Sequence, residues 1–229
     1  MRISIVIPTL NEASCIRETL AAVTQLRPFE IIVADGGSAD RTANFAREFA
    51  VVVQSERGRG AQQLAAARVA SGDAIWFLHA DTIPTPGALD AIIECLRDPR
   101  VAGGNFSLIF DGDSRAARRL TRIYPYLRWL GLCYGDSGIF IRKTAYDAVG
   151  GFKPIPLFED VDLVRRLRRI GTFSTLTHKL LTSSRRFEHC NFAVMFAEWT
   201  SLQLLFLAGV SPHRLAGFYK SVRKPEGTA

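Results

Sequence analysis

The sequence predicts an α/β protein built on a mostly parallel sheet with helices on both faces, followed by C-terminal helices. Three observations carry this. Short apolar runs, Ile3–Ile7, Ile31–Ala34, Val51–Val53 and Ala74–Leu78, show no alternation with polar residues, which is the pattern of strands buried on both faces. Segments with helical spacing, Ala13–Leu26, Asp40–Phe49 and Gly60–Ala70, separate them. Three of the runs end just before polar turns that carry carboxylates, Asn11-Glu12, Asp35 and Asp81, and open parallel sheets bind ligands at the carboxyl ends of their strands.

Taken in chain order, Ile3–Ile7 is the first strand; its apolar stretch is too short for a secretion signal. Ala13–Leu26 is the first helix. Ile31–Ala34 leads into Asp35-Gly36-Gly37-Ser38, and Ser38 or Asp40 caps the helix that runs to Phe49. Val51–Val53, Gly60–Ala70 and Ala74–Leu78 complete the alternating unit, which ends at His79-Ala80-Asp81. Beyond residue 100 the pattern loosens. Gly103–Phe110 and Gly138–Arg142 are strand candidates, and Ser114–Leu130 reads as a basic amphipathic helix. Gly150-Gly151-Phe152 is a turn. Glu159–Ile170 is a helix with Leu163, Leu167 and Ile170 on one face, and residues 191–222 form two helices broken near Ser211-Pro212.

The 229 residues, 48% of them apolar, with a mean hydropathy of +0.09, suffice for one sizeable core and exclude a disordered chain. The expected division is a domain over 1–190 and a helical extension over 191–229 in the same globule. Cys15, Cys95, Cys133 and Cys190 are too few for a disulfide scaffold and too far apart for a CxxC motif. Reduced thiols in a cytoplasmic protein are expected. Phe192–Val210 is apolar but carries Glu198, Thr200, Ser201 and Gln203 near its middle. That favours a buried helix, a dimer contact or an in-plane membrane helix over a span.

The net charge of +7 is unevenly spread. Residues 1–114 hold ten arginines against fourteen carboxylates, a net −4; residues 115–229 hold fourteen arginines and five lysines against eight carboxylates, a net +11. A basic half points to an anionic partner: a nucleotide, a nucleic acid or a membrane surface.

The turn after the first strand, Pro8-Thr9-Leu10-Asn11-Glu12, has no glycine, and the Gly58-Arg59-Gly60 pair lacks a third glycine at Gln63. A dinucleotide fingerprint is therefore missing, as is a GxxxxGK[ST] phosphate loop. Asp81, at the end of a buried strand, suits a hard cation that takes its remaining oxygens from substrate phosphates; a turn or capping role stays open beside it. In an aspartate-nucleophile phosphatase the nucleophile would stand at His79, which sets that reading aside. Glu159, Asp160 and Asp162 open a helix, either as charges favoured by its dipole or as the setting of a general base. Arg165, Arg168 and Arg169 read as a solvated face. Arg185-Arg186, which follow a short apolar strand candidate, are suited to a diphosphate, and His189 alone reads as structural.

Together these strings resemble the family-2 nucleotide-sugar glycosyltransferases of GT-A fold, over residues 2–190. Ile5–Glu12 is similar to the family's opening strand and turn, and Ile32–Ser38 to its nucleobase-binding aspartate loop. His79-Ala80-Asp81 stands at its DXD motif, with His79 in place of the first aspartate. Glu159-Asp160, preceded by Gly150-Gly151-Phe152, matches its acidic motif. Gly58-Arg59-Gly60 and Ser183-Ser184-Arg185-Arg186 are similar to a compact bacterial subgroup.

The resemblance implies a Rossmann-like nucleotide-binding sheet and an inverting, hexosyltransferase-type enzyme. Pro8, Thr9, Asn11, Glu12, Asp35, Arg59, Arg185 and Arg186 would bind the nucleotide, with uridine the expected base. Asp81 and His189 would hold Mn²⁺ or Mg²⁺. Asp160 would be the general base beside Glu159, and Asp136 would line the acceptor pocket. The implied partners are a nucleotide-sugar donor and an unidentified hydroxyl acceptor, with no nucleic acid. A peripheral contact with the inner face of the membrane and a homodimer are compatible additions. Two other classes stay in view: a nucleotidyltransferase on a similar sheet, which would open with a glycine-rich turn, and a basic nucleic-acid-binding protein, for which no zinc-finger or RNP-like string exists.

Overall fold

A computed structural model of the protein describes residues 1–110, 121, 122, 126, 137–183 and 192–219. Its strands are β1 (Ile3–Thr9), β2 (Glu30–Asp35), β3 (Val51–Gln54), β4 (Ala74–Phe77), β5 (Thr82–Pro84), β6 (Val101–Phe110), β7 (Phe140–Arg142) and β8 (Thr172–Thr182). Its helices are α1 (Ile16–Gln25), α2 (Thr42–Ala46), α3 (Arg59–Val69), α4 (Ala88–Cys95), α5 (Lys143–Ala148), α6 (Glu159–Leu167), α7 (Phe192–Leu207) and α8 (Pro212–Ala216).

The strands form one sheet in the order β3-β2-β1-β4-β7-β6-β8-β5. The β3-β2-β1-β4 half is parallel throughout; β1, β2 and β4 are buried as expected, but β3 is the edge strand and Val51 is 61% exposed. The other half is mixed: β7 is antiparallel to both β4 and β6, β8 runs parallel to β6, and β5 is antiparallel to β8.

Side-chain alternation on these doubly buried strands divides the core in two. Ile5, Ile7, Trp76 and Leu78 point to one face, where Ile16, Leu20 and Val23 of α1 and Ile92 of α4 cover them. Val6, Ile32, Ile75 and Phe77 point to the other, under Ala66 and Ala67 of α3, Tyr146 of α5 and Leu163, Val164 and Leu167 of α6. A third, smaller cluster joins Leu202 of α7 and Leu215 of α8 to Leu157, with Phe158 and Phe206 packed against it.

Several boundaries differ from the sequence expectation. The helix expected over Asp40–Phe49 is only Thr42–Ala46, and its N-cap is Arg41 rather than Ser38 or Asp40; Asp40 is engaged in a loop described below, and residues 47–49 form a turn. The helix expected to reach Ile170 ends at Leu167, and the chain turns through Gly171 into β8, an eleven-residue strand. Only a short strand candidate before Arg185 was expected there. β8 is half-exposed, so its apolar residues are interleaved with Thr172, Ser174, Thr175, Thr177 and Lys179, which dilutes the strand signal. Most of the basic segment Ser114–Leu130 lies outside the described residues. Among the described residues no helix is long and apolar enough to cross a membrane.

Candidate functional site

The expected binding residues line one edge of the sheet. β1 lies between β2 and β4 with all three parallel, so the turns after them, Leu10–Glu12, Gly36–Asp40 and His79–Asp81, emerge side by side. In the last pair of the β1–β2 register Thr9 faces Asp35.

Asp35 is buried, and its carboxylate gathers the loop around it. Oδ2 accepts the N–H groups of Gly37 and Ser38 at 3.2 and 3.0 Å. Oδ1 accepts the hydroxyls of Ser38 at 2.5 Å and Thr9 at 3.4 Å. Gly37 takes φ +84° to close this turn, a conformation that glycine adopts without strain.

Asn11, also left-handed at φ 54°, ties the two turns together. Its N–H donates to Ser38 Oγ at 2.9 Å, and its Oδ1 accepts from Ala39 N–H at 2.8 Å. Glu12 N–H donates to Thr42 Oγ1 at 2.8 Å, and Ala13 N–H to Asp40 Oδ2 at 3.1 Å. Burial would raise the Asp40 carboxyl, but hydrogen bonds from Thr42 and Ala13 outweigh it and hold the group below its usual range. The turns after β1 and β2 thus form a single pre-shaped unit.

Gln62 was not foreseen. It is 3% exposed, and its Nε2 donates to Thr9 O at 2.5 Å and Ala34 O at 3.1 Å. Thr9 O also accepts Gly36 N–H at 2.9 Å, and Gln62 thereby ties the ends of β1 and β2 to α3. Its amide lies against Gly36, where a Cβ would stand 3.0 Å from it. The signal was present: Gln62-Gln63 interrupts an alanine-rich helix on its buried side.

Arg59 and Glu159, expected in separate roles, form an ion pair. Arg59 Nε lies 3.0 Å from Glu159 Oε1, with the arginine side chain 45% exposed and the glutamate 3%. The pair joins the N-termini of α3 and α6. Gly60 lets them approach, since a Cβ there would meet Lys153 O at 2.4 Å and Glu159 Cβ at 3.3 Å. Glu159 Oε2 is buried without a hydrogen-bond partner. Asp160 is 6% exposed, and its Oδ1 accepts Val161 N–H at 2.8 Å. Phe158, at φ 62°, precedes the helix and stacks on Phe206 of α7 with ring centroids 5.0 Å apart.

Asp81 is half-buried beyond the end of β4. Its carbonyl accepts Ser183 N–H at 3.3 Å, so the chain leaving β8 passes directly beside it. Arg185, Arg186 and His189 follow Ser183 in sequence but lie outside the described residues, as does Asp136. Ser137, next to Asp136, is buried and accepts Asn105 Nδ2 at 3.1 Å, while Asn105 Oδ1 accepts the Thr175 hydroxyl at 2.8 Å. Among the described residues no three His, Cys, Asp or Glu side chains converge as metal ligands. A lone carboxylate of the Asp81 kind still fits a hard cation whose other oxygens come from phosphates.

The model of the family described as Glycosyl transferase family 2 matches residues 4–156. Among curated relatives, the glycosyltransferase AglE of Haloferax volcanii is 30% identical over 205 residues, covering 78% of this chain and 65% of that protein. The probable glycosyltransferase YdaM of Bacillus subtilis is 25% identical over 198 residues, 74% of this chain and 47% of its own length. The chain therefore spans about half to two thirds of these relatives. Among solved structures, glucosyl-3-phosphoglycerate synthase of Mycobacterium tuberculosis, in complex with Mn²⁺, UDP and glucosyl-3-phosphoglycerate, gives a TM-score of 0.60 at 23% identity over 78% of this chain and 70% of its own. A mannosyltransferase of Pyrobaculum calidifontis, in complex with GDP-Man and Mn²⁺, gives 0.64 at 21% identity over 79% and 56%. At these identities the structural matches establish the fold, that of GT-A glycosyltransferases.

Proposed function

The chain belongs to glycosyl transferase family 2, and on that premise we propose that it is a metal-dependent inverting transferase. It moves a sugar from a nucleoside diphosphate, UDP by preference, to an acceptor hydroxyl. One observation carries the reading. The parallel order β2-β1-β4 sets Asp35, the Thr9–Glu12 turn and Asp81 along one edge, and the Arg59–Glu159 pair brings the N-termini of α3 and α6 together.

In this proposal the stitched turns of Pro8, Thr9, Asn11, Glu12 and Asp35 hold base and ribose. Their hydrogen bonds are already made, so little ordering is left to pay on binding. Arg59, with Arg185 and Arg186, meets the diphosphate. Asp81, joined by His189, would hold Mn²⁺ or Mg²⁺, as the complexes of the structural relatives suggest; when bound, the ion neutralises charge on the diphosphate. Asp160 takes the proton from the acceptor hydroxyl as its oxygen attacks the anomeric carbon from the side opposite the leaving group. Asp136 lines the acceptor side. A cytoplasmic setting is part of the same reading; burial pushes the Cys95 thiol up, which keeps it protonated and unreactive.

The test is a screen of nucleotide-sugars for thermal stabilisation with and without Mn²⁺, followed by turnover of the best donor. Asp81→Ala is expected to abolish the metal-dependent part of the stabilisation. Asp160→Asn is expected to bind donor normally and lose ~10²–10⁴-fold in turnover. Near-normal turnover in that variant removes Asp160 as the base.

A further inference from the structure

We infer that the outer face of α7 and α8 is a docking surface for an anionic lipid bilayer. It would hold the acceptor side of the site at the membrane surface.

The helix α7 divides cleanly between two faces. Leu202 and Phe206 lie inward, packed with Leu157 and Phe158, and Gln203 is 1% exposed. On the outside Val194, Leu204, Leu205 and Leu207 are 64, 60, 47 and 41% exposed, and Phe218 just beyond α8 is 73% exposed. Ala197, Ser201 and Ala208, also exposed, fall between Val194, Leu204 and Leu205 on a helical wheel and fill the strip with small side chains. The other exposed large apolar residues, such as Phe29, Val51 and Ile170, are scattered over separate elements. Four large exposed apolar side chains on one helix make a strip of the kind that marks an interaction site.

Charge identifies what covers it. From Leu205 to Lys224 the sequence carries Arg214, Lys220, Arg223 and Lys224 with His213, and no carboxylate; Glu198 is the only acidic residue between 192 and 219. An apolar face followed directly in the chain by a run of cations matches a negatively charged headgroup layer over acyl chains. With sixteen residues, α7 lies in the interface plane rather than crossing it.

The surface is coupled to the site through this packing. Phe206, on the inner side of α7, stacks on Phe158, the residue before Glu159 and Asp160, so a bilayer on the outer face is separated from the proposed base by the thickness of α7, about 10 Å, and by that ring pair. That placement rests on the transferase reading and implies an acceptor whose hydroxyl is presented at a lipid surface.

The experiment is flotation of the full chain with vesicles of phosphatidylcholine containing about a third phosphatidylglycerol, against phosphatidylcholine alone. Binding to the anionic vesicles only, and its loss as salt rises from about 0.05 to about 0.5 M, is expected. Leu204→Glu/Leu205→Glu/Phe218→Glu should keep the wild-type melting temperature, since these side chains are exposed, and lose at least tenfold in vesicle affinity. No flotation at low salt, flotation unchanged by the triple variant, or a concentration-dependent dimer in place of flotation would each overturn the inference. UDP titration with Mn²⁺ is run in parallel on the wild type. If UDP fails to bind, the transferase reading falls while the flotation result stands.

Discussion

Arg59→Met tests the ion pair that joins the two helix starts. Glu159 is 3% exposed, and Arg59 is its only ion-pair partner among the described residues; its second oxygen has no hydrogen-bond partner. Removing one partner of a fully buried pair costs ~3–5 kcal/mol, whereas a fully exposed pair is worth ~1 kcal/mol or less. With the arginine side chain 45% exposed, the expected cost lies between, at ~2 kcal/mol. For a chain of this size ~1 kcal/mol moves Tm by ~2–4 °C, so the variant should melt ~4–8 °C lower. Glu159→Gln removes the buried charge and keeps an acceptor for Arg59, so its cost should stay near ~1 kcal/mol. In the double variant no charge is left unpaired, and most of the loss should return, with a coupling of ~1–2 kcal/mol. Urea and thermal unfolding followed by tryptophan fluorescence measure all four corners. Strict additivity, or an Arg59→Met melting temperature within about 1 °C of wild type, would show that the pair does not hold the helix starts together.

Gly60→Ala puts a Cβ 2.4 Å from Lys153 O, a backbone atom that cannot swing away; a loss of ~1–3 kcal/mol is expected by urea unfolding, and an unchanged midpoint would contradict the close approach. Asp35→Asn replaces an acceptor oxygen with a donor where Asp35 accepts from Gly37, Ser38 and Thr9; UDP affinity should fall roughly tenfold or more by calorimetry, and full affinity would show that the loop does not shape the nucleotide site. Glu30 supplies a pH test. Burial would raise its carboxyl, but bonds from Ser4, Ser71 and Gly72 hold it below 4.5. A carboxyl lower in the folded than in the unfolded chain stabilises above pH 4.5 and loses that contribution as pH falls through the folded value. The Tm difference between wild type and Glu30→Gln should therefore shrink from pH 7 towards pH 3, and a constant difference would refute the assignment.

Much of the parallel half was legible in the chain because a doubly buried strand must be apolar at every position. Ile3–Ile7, Ile31–Ala34 and Ala74–Leu78 declare themselves, and the carboxylates after them mark the ligand edge. β8 was legible only as a short apolar candidate before Arg185, and β5 not at all. β8 is solvated on part of its length and spends polar residues there, and the three residues of β5 gain strand geometry only by pairing with Thr182, Leu181 and Leu180. The mixed directions beyond β4 also depend on pairing partners up to a hundred residues apart, such as Thr82 with Thr182.

The sequence by itself determined which residues carry chemistry: Asp35, Asp81, Glu159 and Asp160 stand out by type and by their place beside strand ends and a helix start. The tertiary structure decided who meets whom. Arg59 and Glu159, a hundred positions apart, become one ion pair because Gly60 lets α3 and α6 touch. Gln62, marked in the sequence only as a polar break in an alanine-rich helix, becomes the group that ties the ends of β1 and β2 together. Burial and partnership depend on the packing of distant segments, and no local pattern records them.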